Sequence, residues 1–254
     1  MTIAPRAALY GAILFCLAVS YSGTSSCREA EGGIVLSFDD RYVEEWYSLR
    51  ELFIRYKARA TFFITGFDRL DEEGVRMLKE LQHDGHEIGS HGFRHVNATQ
   101  FVKGRRVQDY LKEEILPSVE AMMMKGFTPT SFSYPYGAHN RAIDEIVAPY
   151  FKRIRGTAPS SRGKGLENMK DIYYKCDGQK ILYGVGIDSS YGHSIGDIIK
   201  GLDYAKMQKE IILLHSHRPS GDGSPYTLPP SAIEEILRHA SEIGLKFYTF
   251  SELR

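Results

Sequence analysis

The chain has 254 residues, 43% of them hydrophobic and 25% charged, which allows one domain with a large core or two small ones. Lysine plus arginine and aspartate plus glutamate balance at 32 each, so no bulk basic field argues for a nucleic-acid partner. None of the 3 cysteines has zinc-finger spacing, which leaves nitrogen and oxygen donors for any metal.

At the N-terminus, Arg6 precedes an apolar stretch from Ala7 to Val19, and a small polar segment runs from Ser20 to Ser26. This is the order of a secretory signal, and the apolar stretch is too short and too early for a membrane span. Residues 1–26 are therefore expected to be an export signal and residues 33–254 the folded domain. Gly23-Thr24-Ser25-Ser26-Cys27 loosely resembles a bacterial lipoprotein signal, in which a lipidated Cys27 would anchor the protein to a membrane. In that case Cys176 is expected to be a buried apolar thiol. Without lipidation, a Cys27–Cys176 disulfide stays open. The expected location is periplasmic, on the cell envelope or secreted.

After Gly33, short β-like runs alternate with amphipathic stretches. Strands are predicted at Ile34–Phe38, Ala60–Thr65, Glu87–Gly89, Ser131–Tyr134, Ile181–Ile187, Glu210–Leu214 and Lys246–Phe250. Trp46, Leu49 and Phe53 share a face in a helix predicted over 43–56, and Val75, Leu78 and Leu81 do so over 72–82. Ile233, Leu237 and Ala240 line a third helix over 231–243, where Ser231 and Glu234 have capping-box spacing and Gly244 marks the end. Alternating strands and helices without a clear linker predict a single α/β domain, a barrel-like arrangement of mostly parallel strands. Residues 156–167 and 218–230 are expected to be loops, both candidates for the rim of a cleft at the C-terminal strand ends.

Three features carry chemistry. Asp39-Asp40 ends the first strand, and a buried acidic pair is costly without a cation, although Asp40 could instead cap the helix that follows. His91 and His95 are four residues apart, so one helical turn would present both imidazoles to one metal. His215 follows the apolar run Ile211–Leu214 at another strand end, where it could donate a proton beside a strand-end metal.

In this order the motifs resemble the NodB-homology polysaccharide deacetylases (carbohydrate esterase family 4). The resemblance spans residues 33–254 through Ser37-Phe38-Asp39-Asp40, the His91–His95 segment, Ser133-Tyr134-Pro135-Tyr136-Gly137 and Ile212-Leu213-Leu214-His215. It implies a distorted (β/α) barrel of about seven parallel strands and hydrolytic removal of acetyl groups from an N-acetylated polysaccharide or oligosaccharide. It also implies a divalent metal on Asp40, His91 and His95, with zinc preferred and nickel or cobalt able to use the same ligands. Asp39 would be the general base and His215 the acid, with Asp188 orienting His215. The backbone N–H of Tyr136 would support the oxyanion, with Tyr134 and Tyr191 beside the substrate.

Two departures stand out. The family's third motif opens with an arginine that orients the catalytic aspartate, and here that position is Ser133; Arg155 is the candidate replacement. The fourth motif is reduced to Ile187-Asp188-Ser189-Ser190-Tyr191. These departures keep two other readings open: a sugar-binding protein whose catalysis has lapsed, and an esterase or amidase acting on O-acetyl groups or small molecules. Asn97-Ala98-Thr99 matches a glycosylation sequon, read as coincidence behind a bacterial type of signal.

Overall fold

The computed structural model describes residues 31–158 and 164–254. Residues 1–26, expected to be an export signal, and Cys27, on which the lipidation and disulfide expectations rest, fall outside the described residues. The strands are β1 (Gly33–Asp40), β2 (Ala60–Ile64), β3 (Glu87–Ser90), β4 (Ser131–Ser133), β5 (Arg153–Thr157), β6 (Tyr173–Tyr174), β7 (Ile181–Gly186), β8 (Ile211–Ser216), β9 (Arg218–Pro219), β10 (Thr227–Leu228) and β11 (Lys246–Phe247). Strands β1, β2, β3, β4, β5, β7 and β8 are parallel neighbours in that order, and β8 returns to pair with β1. The result is a closed barrel of seven parallel strands. The short β11 pairs with β1 and β6 runs antiparallel to β8.

Closure follows from how β1 is written. Its residues are almost all buried, as a strand covered on both faces requires. Ile34, Leu36 and Phe38 point outward into the layer between sheet and helices, where Phe38 stacks on Phe62 at 5.6 Å and Trp46 on Phe62 at 5.3 Å. Val35 points inward and meets Phe63, Leu182, Leu213 and Phe250 in the lower barrel. Above Val35 the inward positions turn polar. Ser37 donates to the Leu214 carbonyl at 3.1 Å, and Asp39 lies one layer higher.

Differences from the predicted elements have local causes. The helix predicted over 43–56 is two short helices, Val43–Ser48 and Arg50–Arg55, because the Leu49 N–H bonds the Trp46 carbonyl and tightens the turn. Asp71 caps the helix Glu72–His83 through the Gly74 N–H at 2.8 Å. The helix Pro230–Glu242 starts on its prolines and has no side-chain cap, and Glu234 instead accepts from Arg55 at 2.8 Å. Lys246–Phe247 is all that remains of the last predicted strand, and Phe250 begins a 3₁₀ turn. Gly156 and Thr157 belong to β5, not to a loop, and Leu166–Asn168 is a 3₁₀ turn. Cys176 is exposed in a left-handed turn (φ 56°), so the expected burial of this thiol does not occur.

His86 closes the gap between β2 and the outer core. Its Nδ1 accepts the Ala60 N–H at 3.0 Å, and its ring packs edge-on against Phe53 at 4.8 Å. Burial lowers its pKa from 6.5 to about 4. The folded state therefore holds a neutral imidazole that the unfolded chain would protonate, and stability present above pH 6.5 is lost as pH falls toward about 4. Urea unfolding of His86→Gln and the parent at pH 7 and pH 4.5 should show a smaller pH-dependent loss in the variant, by about 1–3 kcal/mol. Equal losses would assign the pH dependence to other groups.

Candidate metal centre and active site

Asp40 leaves β1 in a left-handed conformation (φ 84°), which turns its side chain away from strand alternation. Asp39 keeps the inward direction. Both carboxylates therefore reach the same hollow at the C-terminal mouth of the barrel. Asp40 is not a helix cap, since the cap position of the following helix is Tyr42 and carries no side-chain capping bond.

The two histidines come from a loop. His91 follows β3 directly and is anchored by its N–H to the Ile64 carbonyl at 2.8 Å. The expected helical turn over 91–95 is absent, because Gly92 (φ 77°) and His95 (φ 60°) are left-handed. Fully buried Glu114 stabilises this unusual path by accepting the Arg94 backbone N–H at 2.9 Å and pairing with the Arg94 guanidinium. Glu114 sits in a π-helical turn, Leu111–Ile115, just before Pro117, whose missing N–H cannot bond back to the preceding turn. The sequence reading missed Glu114. The only signal for it was Pro117, three residues after the acidic pair Glu113-Glu114.

The ring Nδ1 of His91 donates to the Ser133 carbonyl at 2.8 Å. A carbonyl only accepts, so this bond fixes the tautomer and leaves Nε2 with a free lone pair. That Nε2 lies 3.7 Å from Asp40 Oδ1, while His95 Nε2 is 3.2 Å from the same oxygen. One donor atom from each of Asp40, His91 and His95 lies within 4.8 Å of the others. Asp40 Oδ1 is buried and makes no geometrically sound hydrogen bond, although His95 stands close enough to pull the carboxyl down in pKa against burial. An oriented lone pair, an under-satisfied buried oxygen and a two-nitrogen, one-oxygen donor set fit a divalent metal.

Arg155 on β5 reaches across the barrel to Asp39. Its Nη2 donates both to Asp39 Oδ2 and to the Ser133 hydroxyl, with the two charged side chains only 1% and 5% exposed. Ser133 thus occupies the place of the missing arginine and holds its substitute. Burial pushes the Asp39 carboxyl up, but the Arg155 charge, followed by that of His91, outweighs it and holds the group well below the ordinary carboxylate range. Room for Arg155 comes from Gly184, where a Cβ would stand 3.2 Å from both the Arg155 Cδ and the His215 Nδ1.

The remaining expected residues separate. Tyr136 turns through φ 59° and lays its exposed ring 4.7 Å from that of His95. Tyr191 crosses the mouth over Gly186, where any Cβ would meet its ring at 2.1 Å, and its hydroxyl is 3.1 Å from His215 Nε2. Tyr134 is not at the substrate side: it is 1% exposed, packs on Phe132 and donates to Asp144 at 2.9 Å. Asp188 does not touch His215. Its Oδ2 instead accepts from His217 Nδ1 at 2.7 Å, a residue the sequence reading passed over. Loop 218–230 does rim the site, through the β9–β10 pair, and sets Tyr226 against His217 at 5.1 Å.

A family model described as polysaccharide deacetylase matches residues 28–150. A peptidoglycan-N-acetylglucosamine deacetylase from Bacillus cereus is 25% identical over 224 residues, 87% of each chain. One from Listeria monocytogenes is 29% identical over 131 residues, which are 50% of this chain and 27% of that protein. A chitooligosaccharide deacetylase from Azorhizobium caulinodans is 31% identical over 118 residues, 46% of this chain and 54% of that one. Several of these relatives are much longer: the chain spans about a third or less of the Listeria protein and of an uncharacterised Bacillus subtilis protein. Among solved structures, a peptidoglycan deacetylase from Bacillus subtilis (a mutant form) superposes with a TM-score of 0.58 at 18% identity, covering 89% of this chain and 91% of that one. A pseudoenzyme of carbohydrate esterase family 4 from Bacillus anthracis gives 0.55 at 16% identity, covering 89% of this chain and 66% of that one. At such identities the structures support the shared fold.

The Asp39–Arg155 pair makes a stability prediction. Arg155→Met leaves a buried carboxylate without its cation and should destabilise the protein by about 3–5 kcal/mol at pH 7. Adding Asp39→Asn should recover part of that loss, with the double variant losing less than the two single losses added together. Strict additivity in urea unfolding would show that the two side chains do not act as a pair.

Proposed function

We propose that the chain, whose residues 28–150 match the polysaccharide deacetylase family model, hydrolyses acetamido groups on the sugars of an N-acetylated polysaccharide or oligosaccharide. The observation that carries this reading is the convergence of Asp40, His91 and His95 beside an Asp39 held by Arg155, all at the C-terminal mouth of one barrel.

Asp40, His91 and His95 would hold a divalent cation, preferably zinc on this donor set, with nickel or cobalt as alternatives. Bound there, the cation supplies Lewis acidity that brings the pKa of water toward about 7 and polarises the acyl oxygen. Asp39 takes the proton of the attacking water. Arg155 keeps Asp39 ionised and aimed into the mouth of the barrel. The Tyr136 N–H lies on the turn beside His95 and would support the developing oxyanion, a contribution of roughly 3 kcal/mol. The nitrogen of the departing sugar needs a proton, and His215 and His217 at the end of β8 are the candidates.

The relatives named for peptidoglycan and chitooligosaccharide support an envelope or extracellular polymer as substrate, which accords with export through residues 1–26 and anchoring through a lipidated Cys27. Ser133 is the observation that favours a lapsed, sugar-binding protein, and the Arg155 contact with Asp39 answers it.

Zinc-loaded protein should release acetate from N-acetylglucosamine oligomers, stop on chelation and recover on adding zinc. Asp39→Asn should still bind zinc by calorimetry while losing about 10²–10⁴-fold in turnover. Saturable oligomer binding with no acetate released under zinc, nickel or cobalt would favour the binding protein instead. Faster release from acetylated xylan than from the oligomer would favour the esterase.

A further inference from the structure

The two histidines at the end of β8 are built for different tasks. Register places Phe38 opposite Ser216, so His217 follows at the level of Asp39, whereas His215 sits one layer deeper, opposite Ser37. His215 is 1% exposed, its Nε2 is covered by the Tyr191 hydroxyl, and its Nδ1 has no hydrogen-bond partner. Burial, then the charge of Arg155, pushes its pKa well below the ordinary histidine value. At neutral pH it has no proton to spare beyond the one a neutral ring carries.

His217 has the opposite surroundings. Its Nδ1 is held at 2.7 Å by Asp188, a carboxylate whose own side chain is fully buried and whose other oxygen accepts the Ser190 N–H. The backbone carbonyl of His217 accepts from the Trp46 indole at 2.8 Å, which fixes the residue from below. The ring is partly open to the cleft. The groups facing it are Asp188, Asp39, Asp40, His215 and Tyr226. Burial disfavours its charged form, but the bond to Asp188 and the charge of Asp39 outweigh that and raise its pKa.

We infer that His217, oriented by Asp188, is the catalytic residue that protonates the departing nitrogen, and that His215 is a buried neutral residue under Tyr191. The inference rests on the deacetylase reading and sharpens it. As the carbon–nitrogen bond breaks, its electron pair stays on nitrogen, and the Nε2 proton of His217 passes to that nitrogen. Asp39 holds the proton taken from water, acetic acid leaves, and exchange with solvent returns Asp39 and His217 to their starting states. Asp188 keeps its charge throughout and stabilises the imidazolium that precedes transfer, as an orienting carboxylate does for a catalytic histidine.

A proton donor matters for an amine leaving group and hardly at all for a nitrophenolate. His217→Gln should therefore lose about 10²–10⁴-fold in kcat on N-acetylglucosamine oligomers with KM within about threefold, while 4-nitrophenyl acetate hydrolysis by the same zinc-loaded variant stays within about threefold. Asp188→Asn should shift in the same direction by a smaller factor. Full oligomer turnover in His217→Gln, or the amide-selective loss appearing in His215→Gln instead, would overturn the assignment. A second readout is independent of turnover: the low-field proton NMR resonance of an Asp–His hydrogen bond should persist in His215→Gln and vanish in His217→Gln and Asp188→Asn. Its persistence in His217→Gln would equally overturn the proposal. Wild-type protein that shows this resonance but releases no acetate from any oligomer would contradict the deacetylase reading, and with it the role of His217 as donor, while leaving the dyad itself established.

Discussion

The ion pair between Arg155 and Asp39 is the constraint on which the upper half of the barrel depends. Two charges with almost no exposure are stable only as partners, because each would face a desolvation penalty of several kcal/mol alone. To meet, they must come from opposite walls, β5 and β1, and the interior between them must stay small. Gly184 leaves that space, and Ser133 gives the guanidinium a second acceptor. The pair therefore ties strand closure to the orientation of Asp39, the carboxylate beside the Asp40, His91 and His95 cluster.

From that fixed point the division of labour among neighbouring residues follows from geometry. Strand alternation sends Asp39 inward to Arg155, and the left-handed turn at Asp40 sends the next carboxylate toward His95. The same logic separates His215 from His217. Both point into the barrel, but one layer of depth leaves the first covered by Tyr191 and puts the second level with Asp39. Glu114 plays the supporting part on the other side, since a non-helical loop carrying two imidazoles needs its backbone polar groups satisfied from outside.

Much of this was legible in the chain. The alternating strands and helices indicated the barrel, and Asp39-Asp40, His91 and His95, each weak alone, stood out because they fall in one order at strand ends; the structure brings Asp40, His91 and His95 together. What escaped notice did so for physical reasons. Strand β5 was hidden because Arg153 and Arg155 interrupt the apolar pattern by which a buried strand is recognised; an arginine turned into a barrel looks like a surface residue in sequence. The His91–His95 spacing suggested a helical turn, but Gly92 and the Glu114 contact select a left-handed loop that brings the same rings together. Asp188 was matched to the wrong histidine, since a separation of two residues along β8 decides depth in the barrel and sequence spacing alone does not say which layer a turn from β7 will reach.

Asp40, His91 and His95 are proposed to hold the metal while Arg155 keeps Asp39 free of it. Anomalous diffraction at the zinc edge from crystals of the zinc-loaded protein tests this directly. A single strong peak is expected about 2.0–2.2 Å from Asp40, His91 Nε2 and His95 Nε2, with Asp39 still bonded to Arg155. A peak elsewhere, or Asp39 released from Arg155 and coordinating the ion, would contradict it.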